Sequence, residues 1–298
     1  MSLSITDLNV WIGDAHILRG ITLEVPDGQH VGIIGSSGSG KSMLSLAIMG
    51  LLPEGARVEG SIRWDGRELV GVSERELRSL RGSQISMMFQ DPATSLDPLM
   101  RLGKQVALPL RRHRGLRGAA LREAIERALA EVALPDPTRI ARSFPYEVSG
   151  GQRQRVALAM TLAASPSLLI ADEPTTALDV TVQRTVLDLL DAVTRERGVS
   201  LLFISHDLPV VARMADRVIV VDAGRITDDV PVEVIRTAPD MLSDSARSIA
   251  SAARALDSVF ERIGAVRPDS QPGHAPDEAG ECEGEPASST DNEGNAHE

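Results

Sequence analysis

Residues 35–42 constrain this chain more than any other stretch, because they fit the pattern G-x-x-x-x-G-K-[S/T] between an apolar run and a helical pattern. Residues 31–34 predict a buried strand before the motif, and a helix is expected to begin near Lys41. Glycines in such a loop allow a ring of backbone N–H groups, and the helix start adds the positive end of its dipole. The alternative, a Gly/Ser-rich surface loop, fits the order of strand, motif and helix less well.

The loop predicts a binding site for a polyphosphate with Mg²⁺. Lys41 is expected to reach the β- and γ-phosphates, and the Ser42 hydroxyl to coordinate the metal ion. Lys41 and Lys104 are the only lysines among 31 basic residues, which indicates that a compact ammonium is needed at this position. The candidate phosphate contacts are Gly35, Ser36, Ser37, Gly38, Ser39, Gly40, Lys41 and Ser42.

Length and composition limit the class of protein. The 298 residues are enough for one large domain or two, and 42% are hydrophobic. The uncharged apolar runs are far shorter than the roughly 20 residues that a membrane span needs. The single Cys282 excludes an intrachain disulfide, and the N-terminus lacks a secretory pattern. We therefore expect a cytoplasmic location.

The net charge of −11 is unevenly distributed. Residues 266–298 contain nine Asp or Glu and one Arg, so they contribute about −8, and the remainder is nearly balanced. A balanced body argues against a nucleic-acid-binding protein, which usually carries a concentrated basic surface. The acidic segment is expected to be disordered, with a solvated terminus of no specific role as the alternative.

The order of predicted elements indicates an α/β fold. Strands are expected at residues 3–10, 21–25 and 58–64, followed by a helix at 73–80 that begins with the capping box Ser73 and Glu76 and by a strand at 85–89. Helical periodicity then dominates from about residue 99 to 133, and another helix follows residues 148–152. Alternating strands and helices resume at 168–171, 181–197, 199–204, 208–215 and 218–221.

Polar residues follow the predicted strands of this α/β region. Asp172 and Glu173 come directly after an apolar strand, where a parallel sheet places its ligand. One carboxylate can hold Mg²⁺ while the next faces an attacking water. Taken singly, Asp172 and Glu173 also fit a turn or helix start, His206 a loop histidine, and Gln90 a solvated strand end.

In combination with the phosphate loop, these residues resemble the ATP-binding subunits of ABC transporters over about residues 3–239. The five residues at 148–152 resemble the family signature, with Val148 where Leu is usual. The residues that carry the resemblance beside the phosphate loop are Ser149, Gly150, Gly151 and Gln152 of the signature, Gln90 of the Q-loop, Asp172 and Glu173, Asp179 of the D-loop, and His206 of the switch.

The resemblance implies a P-loop ABC ATPase core with an antiparallel β-subdomain and a helical subdomain insertion. The ATP-binding domain is expected at residues 1–239, with the insertion at about 91–164, followed by a C-terminal extension at 240–298. The implied catalytic residues are Glu173, His206 and Gln90, and the implied Mg²⁺ ligands are Ser42, Gln90 and Asp172. Residues 149–152 and Asp179 would contact the ATP bound by an opposite subunit.

Residues 89–98 and 171–183 most resemble the oligopeptide, dipeptide and nickel importer branch of the family. This branch implies an ATPase that energises uptake of peptides, nickel or another metal chelate, at the cytoplasmic face of the cell membrane. The implied partners are transmembrane permease subunits, a second ATPase subunit that is a paralogue or a copy of this chain, and an extracytoplasmic binding protein, without nucleic acid. The alternatives are an exporter ATPase, a non-transport ABC protein acting on ribosomes or DNA, and a P-loop kinase.

The chain departs from the branch at two further places. It lacks the His-Pro-Tyr segment after residue 239 and a Cys-rich extension, which excludes an iron–sulfur site there. The aromatic residue that stacks on adenine in the family would fall on Ile12, whose spacing from Leu8 and Val10 indicates a buried face. Trp11 lies on the opposite face and is the candidate adenine contact if the pattern shifts by one residue; the alternative is a Trp packed on the surface of the sheet.

Overall fold

The computed structural model describes residues 1–90, 95–175, 180–237, 241–248 and 251. The chain divides into two units, residues 1–257 and 258–298, and all described residues belong to the first. None of the helices in these ranges is both long and apolar enough to cross a membrane.

The described chain contains ten strands, nine α-helices between residues 41 and 237, and a further helical stretch at residues 244–248. The strands are β1 (Leu3–Ile12), β2 (Ala15–Val25), β3 (His30–Ile34), β4 (Arg57–Trp64), β5 (Arg67–Glu68), β6 (Ile85–Met88), β7 (Leu168–Asp172), β8 (Ser200–Ile204), β9 (Arg217–Asp222) and β10 (Arg225–Pro231). The helices are α1 (Lys41–Met49), α2 (Glu74–Leu80), α3 (Leu102–Arg114), α4 (Gly118–Glu131), α5 (Pro137–Arg142), α6 (Gly150–Leu162), α7 (Val180–Glu196), α8 (Leu208–Met214) and α9 (Val232–Thr237).

Two sheets form the framework. The first is antiparallel, in the order β2-β1-β4-β5. The second has six strands in the order β10-β9-β3-β8-β7-β6, and all its neighbours are parallel except β10 and β9. The predicted α/β fold with an antiparallel β-subdomain and a helical insertion is therefore confirmed.

The two sheets enclose one apolar core around α1. Leu44 and Ile48 of α1 are buried among side chains of both sheets, including Ile5 and Ile33. A second core covers the other face of the six-stranded sheet and continues into α3, α4 and α6. The inner strands β3, β7 and β8 are therefore buried along their whole length, which explains their continuous apolar runs, whereas β10 at the edge is alternately exposed.

The sequence predicts most element bounds closely. The capping box of α2 is present, since Ser73 Oγ accepts a hydrogen bond from Glu76 N and the Glu76 carboxylate accepts one from Ser73 N. The long helical region is two helices, because Gly115 has a φ of 63° and ends α3. The strand β10 and the helix α9 were not predicted.

The proposed domain end at residue 239 stays a prediction. In the described residues that follow it, Leu242 and Ala246 are buried against the core. Ser243 N donates a hydrogen bond of 2.8 Å to Asp228 Oδ1 of β10. The segment 241–248 therefore packs on the same body as the strands before it.

Candidate functional site

The predicted phosphate loop connects β3 to α1 at the centre of the six-stranded sheet. Gly35 has no room for a side chain, because a Cβ atom there would lie 2.1 Å from the Val221 carbonyl oxygen. Gly40 has a φ of 105°, a conformation that favours glycine. The loop therefore curls tightly, and Lys41 Nζ donates to the carbonyl oxygens of Gly35 (2.8 Å) and Ser36 (2.9 Å).

The start of α1 is suited to an anion. Gly40 provides no side-chain cap and the first turn contains no acidic residue, so the backbone N–H groups there are available to a ligand. Ser39 Oγ is also buried and has no hydrogen-bond partner among the described residues. Burial lowers the pKa of Lys41, an effect that the nearby carboxylates of Glu173 and Asp172 oppose. These features fit a bound polyphosphate.

Asp172 lies at the end of β7, beside the first turn of α1. The Ser42 hydroxyl donates a hydrogen bond to its carboxylate, so the two predicted metal ligands are in contact. Asp172 is 4% exposed, and its Oδ1 has no hydrogen-bond partner among the described residues. Burial raises the pKa of Asp172 above its ordinary value. A buried carboxylate oxygen without a partner, next to a hydroxyl, fits an oxygen-ligated divalent cation.

Glu173 lies between the two other predicted catalytic residues. Its carboxylate oxygen Oε2 accepts a hydrogen bond from Gln90 Nε2 at 3.2 Å, and Oε1 lies 3.0 Å from His206 Nδ1. Its backbone has a φ of 47°, uncommon for a residue with a side chain, and Glu173 N donates to the Ile204 carbonyl at 2.9 Å. The backbone thus turns sharply after β7 and presents the carboxylate to Gln90 and His206.

These groups share one cavity of about 540 Å³. Lys41 and Ser42 lie on its α1 side, and Gln90, Glu173 and His206 complete it. Gln90 donates to Glu173, and among the described residues it forms no hydrogen bond with Asp172 or Ser42, its predicted partners around the metal ion. Most of the predicted phosphate and catalytic residues of one chain therefore line a single cavity, and Asp172, which does not line it, is connected to it by its hydrogen bond with Ser42.

The predicted signature residues lie elsewhere. Ser149 and Gln152 form a capping box at the start of α6, with Ser149 Oγ accepting from Gln152 N and Gln152 Oε1 accepting from Ser149 N. Gly151 lets α6 approach α7, because a Cβ atom there would lie 2.8 Å from Val182 Cγ1. Neither the four signature residues 149–152 nor Trp11 are among the described residues that line the cavity.

Trp11 contacts neighbours within the antiparallel sheet. Its ring stacks on His16 of β2, with ring centroids 4.3 Å apart, and the Arg57 guanidinium of β4 lies 4.0 Å from its centroid. As predicted, Trp11 shares a face with Asn9, whose side chain lies 3.1 Å from His16 Nε2. Adenine stacking by Trp11 stays a prediction, and Asp179 lies outside the described residues.

Three residues of the site region were not predicted. Ile17 and Met43 line the cavity next to the phosphate loop, and the apolar patterns of β2 and α1 do not distinguish them from core residues. Gln154 of α6 is 2% exposed, and its Nε2 donates to the Pro174 carbonyl, one residue after Glu173. An amide on a helix face otherwise occupied by Val156, Leu158 and other apolar residues is the signal that could have revealed this link.

Comparison with known proteins identifies the family. Residues 18–176 match the family described as ABC transporter. The chain belongs to this family. The matched range includes the phosphate loop, the signature and the two carboxylates after β7.

Relatives in the ABC transporter family include peptide transport proteins. The chain is 45% identical over 225 residues to the oligopeptide transport ATP-binding protein OppD of Bacillus subtilis, covering 75% of this chain and 63% of that one. It is 46% identical over 227 residues to OppD of Salmonella typhimurium (75% and 68%) and 42% identical over 232 residues to the dipeptide transport protein DppD of Bacillus subtilis (76% and 69%). The chain thus spans about two thirds of these relatives.

Two solved structures share the fold. The ATP-binding cassette MJ0796, a dimer in a post-hydrolysis state bound to ADP and Pi, has a TM-score of 0.67 at 29% identity, covering 77% of this chain and 98% of that one. CbiO1 from Clostridium perfringens, part of the transporter complex cbiONQ, has a TM-score of 0.69 at 25% identity and covers 89% and 97%. The six-stranded sheet, the antiparallel sheet and the helical insertion are therefore those of an ABC cassette.

Proposed function

We propose that this chain is the ATP-hydrolysing subunit of an ABC importer that takes up peptides. The observation that carries the proposal is the position of Glu173, which lies between Gln90 and His206 in the same cavity as Lys41 and Ser42. The identity to OppD and DppD proteins supports peptides as the transported class. ATP is the substrate of the proposed reaction.

Each residue of the cavity has a distinct task in hydrolysis. Lys41 and the N–H groups at the start of α1 bind the phosphates and neutralise their charge. Glu173 accepts a hydrogen bond from the attacking water and orients it, and His206 holds the Glu173 carboxylate in place and contributes a donor toward the γ-phosphate. Gln90, which precedes the helical insertion in the chain, donates a hydrogen bond to Glu173 and so connects the insertion to the catalytic carboxylate.

Ser42 and Asp172 are the residues that would hold Mg²⁺. The partnerless buried Oδ1 of Asp172 and the adjacent Ser42 hydroxyl are hard oxygen donors of the kind this ion prefers. When bound, the ion supplies charge neutralisation at the β- and γ-phosphates. Gln90 remains a proposed third ligand through its Oε1, since its Nε2 is the atom that donates to Glu173.

The second half of each site is proposed to come from a neighbouring ATPase subunit. Ser149 and Gln152 cap α6 and do not line the cavity of their own chain. The N–H groups of Gly150 and Gly151, which this capping box does not bind, would face the phosphates bound by the opposite subunit, as would Asp179. The dimeric state of the similar MJ0796 cassette supports this arrangement.

The other proposed partners are membrane permease subunits and, through them, an extracytoplasmic binding protein. CbiO1 as part of a transporter complex and the transport names of the relatives support this assembly. The chain would then act at the cytoplasmic face of the membrane. ATP binding is expected to bring two ATPase subunits together into a closed dimer. This step drives transport only if the conformational states of the permease differ in their affinity for that closed dimer.

Replacement of Glu173 by Gln tests the catalytic assignment. We expect the Glu173→Gln variant to retain ATP affinity and to lose at least about 100-fold in phosphate release, because the amide cannot accept a proton in the transition state. Glu196→Gln, the same chemical change at an exposed position of α7, should leave turnover unchanged. Phosphate release by Glu173→Gln within threefold of wild type would remove Glu173 from its proposed role.

The substrate class needs a separate measurement in the assembled transporter. Proteoliposomes that contain the permease, the ATPase subunits and the binding protein should accumulate labelled oligopeptides only with ATP. Normal ATP turnover without peptide accumulation would leave the ATPase assignment intact and overturn the peptide assignment.

A further inference from the structure

Positive charge is concentrated in the helical insertion. Residues 101–142, which contain α3, α4 and α5, include ten Arg or Lys and four Asp or Glu, a net charge of +6. The whole chain carries −11, so this segment opposes the charge of the rest of the molecule. Such sign asymmetry indicates an interaction with an anionic partner.

A cleft of about 440 Å³ opens between α3, α4 and α5 within this basic segment. Its basic lining residues are Arg101, Lys104, Arg111, Arg122 and Arg142. Within the described part of the chain, none of these five cations forms an ion pair. Arg127 and Arg197, on other faces of the same region, are paired with Glu123 and Glu131.

The one carboxylate in the cleft is already engaged. Glu126 accepts a hydrogen bond from Thr138 Oγ1 at 3.0 Å, and its single negative charge offsets only one of the five surrounding positive charges. Arg101 is held in place, because its guanidinium donates to the Arg142 carbonyl and lies 4.8 Å from the Phe144 ring centroid. The cleft therefore carries an excess of positive charge, within which Arg101 is held in place.

The floor of the cleft is apolar. Leu121 and Ile125 of α4, with Ala107 of α3, line it below the charged groups. Two large apolar side chains nearby are also exposed to solvent: Leu99, just before α3, is 87% exposed, and Leu108, within α3, is 53% exposed. A free phosphate or an acidic loop would satisfy only the cations, whereas an amphiphilic anion satisfies both surfaces.

We propose that this cleft binds an anionic phospholipid. The phosphate contacts Lys104, Arg111 and Arg122, and the glycerol and first acyl carbons lie on Leu121 and Ile125. Clusters of four to eight basic residues recognise anionic lipids in this way, and each contributes about 1 kcal/mol near the membrane surface. The site is separate from the ATP cavity and does not depend on the transported substrate.

Flotation with lipid vesicles tests the proposal directly. The full chain should bind vesicles that contain phosphatidylglycerol in phosphatidylcholine and not vesicles of phosphatidylcholine alone. Since the chain has a net charge of −11, general electrostatics oppose this binding and only a local basic site can produce it. Raising the ionic strength should weaken the binding.

Matched neutralising variants locate the site. Lys104→Gln combined with Arg122→Gln should lower the vesicle partition coefficient about 30-fold, the loss expected for two basic contacts. Arg75→Gln combined with Arg184→Gln removes the same charge from exposed positions outside the cleft and should have no effect. Ile125→Ser should also weaken binding, with circular dichroism and ATP affinity confirming that each variant is folded.

Other outcomes overturn the proposal. Equal losses in the two double variants would show that the chain adsorbs through diffuse charge. Competition by glycerol 1-phosphate as effective as by short-chain phosphatidylglycerol would assign the cleft to free phosphates. Stronger competition by an acidic peptide would assign it to an acidic protein partner.

Discussion

Replacing Trp11 by Ala should reduce stability and leave ATP affinity almost unchanged. Stacking on a base contributes roughly 1–3 kcal/mol. To reach the base, however, the indole must leave His16 and Arg57, and these contacts contribute about 0.5–1.5 kcal/mol for an aromatic pair and about 0.5–1 kcal/mol for an exposed cation–π contact. Because gain and loss are of similar size, we expect the Kd for ATP to change less than about threefold.

Calorimetric titration with ATP and urea unfolding measure the two effects separately. The Trp11→Ala variant should lose about 1–2 kcal/mol in free energy of unfolding, since both contacts are removed. Trp64 is buried and its Nε1 donates to Gln84 Oε1 at 2.7 Å, so it supplies a constant fluorescence background. A tenfold or greater loss of ATP affinity, with the ATP-induced quench absent in Trp11→Phe, would refute this reasoning and establish adenine stacking.

Two further predictions concern assembly and pH. Ser149→Arg should leave the ATP affinity of the isolated chain unchanged and abolish turnover of the paired subunits; a loss of ATP affinity as large as the loss of turnover would contradict this prediction. If mixing Ser149→Arg with Lys41→Ala restores turnover, the partner is a second copy of this chain and not a paralogue. Burial, together with the charge of Arg195, lowers the pKa of His30, although Asp191 opposes this effect. Below about pH 6.5 the unfolded chain therefore binds one proton that the folded chain does not bind. The free energy of unfolding should fall as the pH drops through this value, by at most about 1.4 kcal/mol per pH unit. Urea unfolding at a series of pH values should show that the free energy of unfolding declines less steeply with falling pH in His30→Gln than in wild type. Parallel declines in the two proteins would show that His30 is not the titrating group.

The local parts of the site could be predicted from sequence. The phosphate loop depends on glycines and a helix start that are consecutive in the chain, and the Ser73 capping box is a three-residue spacing. The carboxylates after β7 were predictable because the ends of parallel strands meet at one edge of a sheet. Family resemblance, and not spacing, supplied the assignment of His206 and Gln90 to the same site.

The contacts between distant segments could not be predicted. Whether Trp11 faces a ligand or its neighbours depends on which residues of β2 and β4 lie opposite it, and here these are His16 and Arg57. The Gln154 contact joins residues 20 positions apart and follows from the packing of α6, which no local pattern encodes. The basic cleft could not be predicted either, because it forms only where α3, α4 and α5 pack together.

The helical insertion is attached to the least constrained side of the central sheet. It follows β6, the edge strand, and returns through α6 into β7, the next strand inward. An edge strand is hydrogen-bonded on one side only, so bending it disturbs half as many backbone bonds as bending an interior strand. The phosphate loop follows β3, which lies two strands inward from β7 and is hydrogen-bonded on both sides, so we expect bending of β6 to disturb it little. Asp172 at the end of β7 and Glu173 directly after it lie between the insertion and the phosphate loop. We therefore expect that a movement of the insertion would reach these two carboxylates before it reached the loop that is proposed to hold the phosphates.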